Sequence, residues 1–292
     1  MHIGISRPTV PDHPIPDIDG GFVAQVAERL GFEMICYGEH PVRLLAPDGG
    51  ALAYNAVHTD GIPRFQDLVV MLARASAMTE RIRIGSAVCL VIAHHPLMLA
   101  KQLACVDHYS GGRLTLGIGA GGSIPEIEVM GGDPRRPWAQ TGEAVKLMRQ
   151  LWSQDMAQMQ GEFYSVPPVQ SYPRPVQQPS PPVLLGARGP RAFARIVDYC
   201  DGWMPAFISP EDIEQGPREI ERGLFRIREE ADRAGKDAAA FTVTAILRGD
   251  VDRDVVRRYE DVGIERVLVS LPRINRRADV KPELAKIAEA VF

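Results

Sequence analysis

Short apolar runs alternate with amphipathic stretches along almost the whole chain. The first run is HIGIS (2–6). FVAQVAERLG (22–31) follows, with Phe22, Val26 and Leu30 four apart on one helical face and Gly31 placed as a C-cap. EMICYG (33–38) reads as the second strand, and QDLVVMLARASAMT (66–79) as the next helix. Between them runs a Pro/Gly-containing loop over 39–65. Loops of that length inside a compact domain are usually functional.

The alternation then continues. RIRIGSAVCL (81–90) is the third strand, and PLMLAKQLACVDHYSG (96–111) its helix, with Pro96 in the first turn. RLTLGIG (113–119) is the fourth strand, and PWAQTGEAVKLMRQLW (137–152) the main helix after it. A proline-rich excursion over 163–182 interrupts the pattern. VLLG (183–186), GWMPAF (202–207), FTVTAILR (241–248) and RVLVSLP (266–272) complete the strands. Helical stretches over 190–200, 211–235, 252–263 and 282–291 follow them in turn.

Strands that alternate with helices predict βαβ units and a parallel sheet. Eight such units in a chain of 292 residues fit an α/β protein of the (β/α)8 TIM-barrel type, with an open doubly wound sheet as the competitor. No composition shift marks a boundary, so a single domain over 1–292 is expected.

Composition narrows the function classes. The 33 basic and 37 acidic residues give a net charge of −4, which offers no electrostatic footprint for nucleic acid. Hydrophobic residues at 45% and charged residues at 24% are ordinary for a globular chain and argue against disorder. Cys36, Cys89, Cys105 and Cys200 form no C-x-x-C pair and read as small buried hydrophobes. The longest apolar stretch (86–93) is too short to cross a bilayer. The first residues carry no signal-peptide pattern. A cytoplasmic location without membrane attachment is the expectation.

A barrel carries its active site at the C-terminal ends of the strands. Those ends hold Ser6 and Arg7, then Glu39 and His40, then Ala87, Val88 and Cys89 with His94 and His95 beyond. GIGAGGS (117–123) follows the fourth strand, and Gly186, Ala187, Arg188 and Gly189 the fifth. Asp201, Gly202 and Trp203 stand at the sixth, and the last two end near Arg248 and Pro272. His40 is the titratable group best suited to proton exchange near neutral pH, against the alternative of a structurally bonded loop histidine. Glu39 either orients it or faces solvent.

Several other groups have two readings. His94 and His95 point to opposite faces of an extended chain with no carboxylate at ligand spacing, so no metal site is read. Residues 117–122 satisfy G-x-G-x-x-G but follow the wrong strand for a dinucleotide fingerprint. Their glycines still permit a close backbone approach to a ring or phosphate, or serve only a tight turn. Arg188 before a helix is a candidate anion site or a solvated surface arginine. Trp138, Trp152 and Trp203 read as packing, and 219–233 as a solvated helix face.

The block RIRIGSAVCLVIAHHPLMLAKQLACVDHYSGGRLTLGIGAGG (81–122) resembles the bacterial luciferase-like flavin and deazaflavin oxidoreductases. AERLGFEMICYGEH (27–40), EAVKLMRQLW (143–152), GEFY (161–164), residues 175–205 and VGIERVLVSLP (262–272) agree with it in order. The resemblance implies a TIM barrel with insertion segments and a flavin-type cofactor across its mouth. It implies a cis peptide at Ala87–Val88, where the ring rests, and His40 as the proton donor or acceptor. Ser6, Gly119, Ala120, Gly121, Gly122, Gly186, Ala187, Arg188 and Gly189 are the remaining cofactor contacts expected.

The opening Glu39-His40-Pro41 and the closing block are most similar to the coenzyme F420 subgroup. That implies hydride transfer between the deazaflavin and a small-molecule substrate, with residues 41–64 and 163–182 shaping the pocket. The runner-up is an FMN-dependent monooxygenase that takes reduced flavin from a flavin reductase partner. Some deazaflavin dehydrogenases carry a catalytic glutamate where this chain has Gly122, so that acid–base scheme is not carried over. The departure keeps a third reading open, a non-catalytic cofactor-binding protein. A homodimer through apolar barrel helices such as 66–79 is also implied.

Overall fold

The apolar runs become strands covered on both faces, by helices outside and by opposing strands inside. A computed structural model describes residues 1–7, 18–42, 44–48, 65–272, 274 and 276–292. Most of the long loop expected to shape the pocket lies outside these residues. Strand β1 (His2–Arg7) leads to helix α1 (Gly20–Arg29), β2 (Met34–Tyr37), α2 (Leu68–Met78) and β3 (Arg83–Leu90). Next come α3 (Pro96–Ser110), β4 (Leu114–Gly119), a short α4 (Ile124–Val129) and α5 (Pro137–Ser153). A hairpin of β5 (Ala157–Gln160) and β6 (Ser165–Val169) precedes β7 (Val183–Leu185) and α6 (Pro190–Tyr199). The chain closes with β8 (Gly202–Trp203), β9 (Ala206–Phe207), α7 (Pro210–Ala234), β10 (Thr242–Leu247), α8 (Arg253–Glu260), β11 (Arg266–Ser270) and α9 (Arg277–Val291).

The strands run β1-β2-β3-β4-β7-β8-β10-β11 in parallel, and β11 pairs back onto β1 from His2↔Arg266 to Ser6↔Ser270. This is the closed eight-strand barrel that the alternation predicts. Local chemistry sets the element ends. Asp19, Ser209 and Asp252 cap α1, α7 and α8 by accepting from backbone N–H groups. Pro96 opens α3, and Gly111 closes it in the left-handed conformation at φ 68°.

The barrel interior is filled by a few large side chains facing glycines. Met34, Cys36, Leu184, Met204, Ile246 and Leu268 form this inner cluster. A Cβ at Gly4 would meet Leu268 and Met34 at 2.7 and 2.9 Å, and one at Gly117 would meet the Met204 sulfur at 2.5 Å. The larger core lies between the sheet and the helices.

Three sequence expectations are corrected. Residues 202–207 form two short strands rather than one, because Pro205 has no N–H to continue the ladder. Part of the proline-rich excursion pairs as β6, antiparallel to β5. Helix α4 occupies a stretch to which the sequence reading gives no element, with Ser123 at its N-cap.

Candidate active site

The site is assembled around an irregularity in β3. Its pairing with β4 shifts register between Ser86 and Cys89, so Ala87 and Val88 bulge out of the ladder. The Ala87–Val88 peptide is cis, as the resemblance implies. Val88 fits between two glycines: a Cβ at Gly119 would lie 2.8 Å from its Cγ2, and one at Gly186 2.5 Å from its Cγ1. These glycines therefore have a packing reason to be glycine beside the one expected from cofactor approach.

A cavity of about 320 Å³ opens over this bulge. Ala87, Val88 and Leu90 line one side, and Gly119, Ala120, Gly121, Gly122 and Gly186 another. Gly38, Glu39, His40, Phe65, Trp138 and Arg248 complete the wall. Nine of the expected site residues thus converge here: Glu39, His40, Ala87, Val88, Gly119 to Gly122 and Gly186.

Four do not line it. Ser6 is buried at the end of β1, where its carbonyl accepts from Leu271 N at 2.8 Å. The Ala187 carbonyl accepts from Trp203 Nε1 at 2.7 Å, and Gly189 is the N-cap of α6. Arg188 is corrected as an anion site. Its guanidinium donates to the Glu219 carboxylate on α7 and to the Ala206 carbonyl, and it stacks on Phe207. Its charge is already matched within the chain.

Glu39 does not turn to His40. Its Oε2 accepts from Leu90 N at 2.7 Å, and its Oε1 accepts from His94 Nε2 at 2.8 Å. This buried carboxylate straps the end of β2 to the end of β3. The sequence showed no carboxylate near His94, but the fold supplies one. Ligand atoms of Glu39, Cys89 and His94 lie within 4.8 Å of one another, close enough to hold a metal ion. Burial, reinforced by the Glu39 charge, pushes the Cys89 thiol well above its usual range. Burial opposes charge on His94, but the Glu39 hydrogen bond and charge outweigh it and raise its pKa.

His40 is held from a direction that sequence reasoning missed. Its Nδ1 lies 2.8 Å from Oε2 of Glu126, on α4. Glu126 is 1% exposed, and its Oε1 has no hydrogen-bond partner among the described residues. Phe65 packs on the His40 ring at a centroid distance of 5.2 Å. A carboxylate does reach the mouth from beyond β4, four residues after Gly122, where the resemblance led one to look. The only local signal was an acidic residue three positions after a capping serine.

A parallel barrel with a histidine–carboxylate pair and a glycine-walled cavity at its strand ends has a candidate site where TIM-barrel enzymes carry theirs. The family model described as luciferase-like monooxygenase matches residues 21–286, and the chain belongs to that family. It is 34% identical over 262 residues to an uncharacterised protein of Mycobacterium tuberculosis, covering 88% of this chain and 87% of that one. It is 29% identical over 197 residues to the oxygenase component of the flavin-dependent trigonelline monooxygenase of Acinetobacter baylyi, covering 66% of this chain and 50% of that one. Its fold is similar to an F420-dependent secondary alcohol dehydrogenase solved with an F420–acetone adduct, with a TM-score of 0.75 at 17% identity over 99% of this chain and 98% of that chain. The family thus has F420-dependent and flavin-dependent relatives. Among the described residues no helix is long and apolar enough to cross a membrane.

Proposed function

We propose that the chain is a coenzyme F420-dependent oxidoreductase that moves a hydride between the deazaflavin and a small organic substrate. The observation that carries this reading is His40, fixed by a buried glutamate at the rim of a cavity with a glycine wall. The wall fits a flat ring. Gly121 adopts φ +79°, and a Cβ there would press on Ile127 at 3.0 Å, so this face presents backbone rather than side chains. Ala87 and Val88 of the bulge line the same cavity beside it.

When bound, the deazaflavin supplies or accepts the hydride. The chain's own groups do the rest. Glu126 holds His40 Nδ1, which sets the orientation in which the ring exchanges a proton with the substrate. Trp138 and Phe65 exclude water from that exchange. Glu126 brings to His40 a carboxylate that Gly122 does not offer, which supports the catalytic reading over the non-catalytic one.

Fluorescence titration of the purified protein with oxidised F420 and with FMN tests the cofactor. Selective F420 binding is expected. Selective FMN binding would replace this reading with an oxygen-dependent monooxygenase served by a flavin reductase, a possibility that the similarity to the trigonelline enzyme's oxygenase component supports. His40→Ala should lower turnover by about 10²–10⁴-fold with cofactor affinity retained. Near-normal turnover in that variant would remove the assignment.

A further inference from the structure

Arg248 has no part in the reading above, yet it stands in the same cavity wall as His40. It follows β10 directly, and its backbone N–H donates to the Phe207 carbonyl at 2.9 Å, which fixes it at the strand end. Its guanidinium is half-buried and has no hydrogen bond or ion pair with any described residue. Arg113 and Arg149, also withdrawn from water, differ. Arg113 donates to Ser110, Thr79, Ile82 and Ser76, and Arg149 to Tyr199, Ser180 and Asp201. A guanidinium withdrawn from water normally finds such acceptors. Burial alone lowers the Arg248 pKa, with no carboxylate offsetting it.

No described acid near the cavity pairs with it: Glu126, which holds His40, keeps one oxygen unpartnered and makes no ion pair with Arg248. Glu39, the one acidic side chain in the cavity wall among the described residues, has both oxygens in hydrogen bonds to Leu90 and His94. Arg248 also borders a second cavity of about 640 Å³ between β10, β11 and α9. There Asp252 caps α8, Glu283 pairs with Lys286, and Asp250 is exposed. The unmatched guanidinium thus borders both cavities, and the first of them also holds His40.

We propose that Arg248 is the specificity residue of the mouth and selects substrates bearing a carboxylate, which pairs with the guanidinium while the reacting centre lies toward His40. This inference rests on the proposed site but not on which cofactor fills it. A guanidinium presents a planar fork to two carboxylate oxygens, and desolvation strengthens the pair. A phosphate on the cofactor has the same chemistry, so the test must separate the two sources.

Cofactor-free protein is titrated with benzoate and with its neutral counterpart benzamide, followed by calorimetry. Wild type is expected to prefer benzoate by about tenfold or more, the scale of one charge-assisted hydrogen bond. Arg248→Gln should abolish that preference, Arg248→Lys should keep part of it, and His40→Gln should leave it in place. FMN and riboflavin are titrated in parallel, and Arg248→Gln should not change the discrimination between them. Absence of a benzoate preference in wild type, or its persistence in Arg248→Gln, would overturn the proposal. So would loss of FMN-over-riboflavin discrimination in that variant, which would give Arg248 to the cofactor phosphate. Failure of both F420 and FMN to bind would sink the proposed function alone, since the benzoate preference is read without cofactor.

Discussion

Glu126 is the residue on which the site turns. One oxygen of this buried carboxylate accepts from His40, and the other has no partner among the described residues. A half-satisfied buried carboxylate is costly, and such groups persist where the site needs them. Glu126→Gln keeps the size of the side chain but removes the charge, and the amide can also present N–H to His40 and select the wrong tautomer. The expected outcome is a fall in turnover of roughly 10–10³-fold with the melting temperature little changed. Steady-state kinetics beside a thermal melt checks it. Equal loss of folding and activity would mean that Glu126 is structural. The residue was hard to read in the sequence for a physical reason. It lies 86 positions from its partner, on a six-residue helix too short to show a period.

Elements place these side chains, and a buried carboxylate joins the ends of β2 and β3. The Glu39–His94 pair ties the two strand ends beside the bulge. His94 has a pKa raised in the folded state, so its contribution to stability is fully present below the unfolded value near 6.5 and is lost as pH rises through the folded value. The stability gap between wild type and His94→Gln should therefore be widest near pH 5.5–6 and shrink on going alkaline, as denaturant melts across that range would show. A gap independent of pH would deny the pair its charge. The bulge has its own test. Gly119→Ala places a Cβ 2.8 Å from Val88 and meets nothing else closer than 3.8 Å, so about 1–3 kcal/mol of destabilisation is expected. Val88→Ala in the same chain should restore most of it. The barrel strands were legible because burial on both faces demands continuous apolar runs such as TVTAIL and RVLVS. The β5–β6 hairpin pairs only with itself, and its AQMQ and SVPPV lack that signature. His40 and the glycine wall were legible as strand-end residues. The loss of Arg188 to Glu219 was not, because that carboxylate comes from another helix.

At the scale of the whole molecule the two ends of the barrel divide the work. The C-terminal end holds His40, Glu126, the glycine wall and Arg248. The opposite end holds Arg266, 4% exposed, which donates to Glu33 before β2, to Glu265 and to Thr244 on β10. This arginine begins β11, the strand that closes onto β1, so it ties the seam of the barrel to its neighbours on both sides. Removing it leaves the Glu33 carboxylate without its bidentate partner and Thr244 without a donor. Arg266→Ala should cost ~3 kcal/mol of stability while leaving cofactor affinity intact, measured by denaturant melts and by fluorescence titration on the same preparation. His40→Gln, whose amide can still donate to Glu126, should do the reverse, sparing the melt and losing turnover. The crossing of the two outcomes is what matters, since either variant alone could weaken both properties through partial unfolding. If Arg266→Ala also weakens cofactor binding at temperatures where it is fully folded, the barrel transmits strain from its closing seam to its mouth. Division of labour between the ends would then fail for this chain.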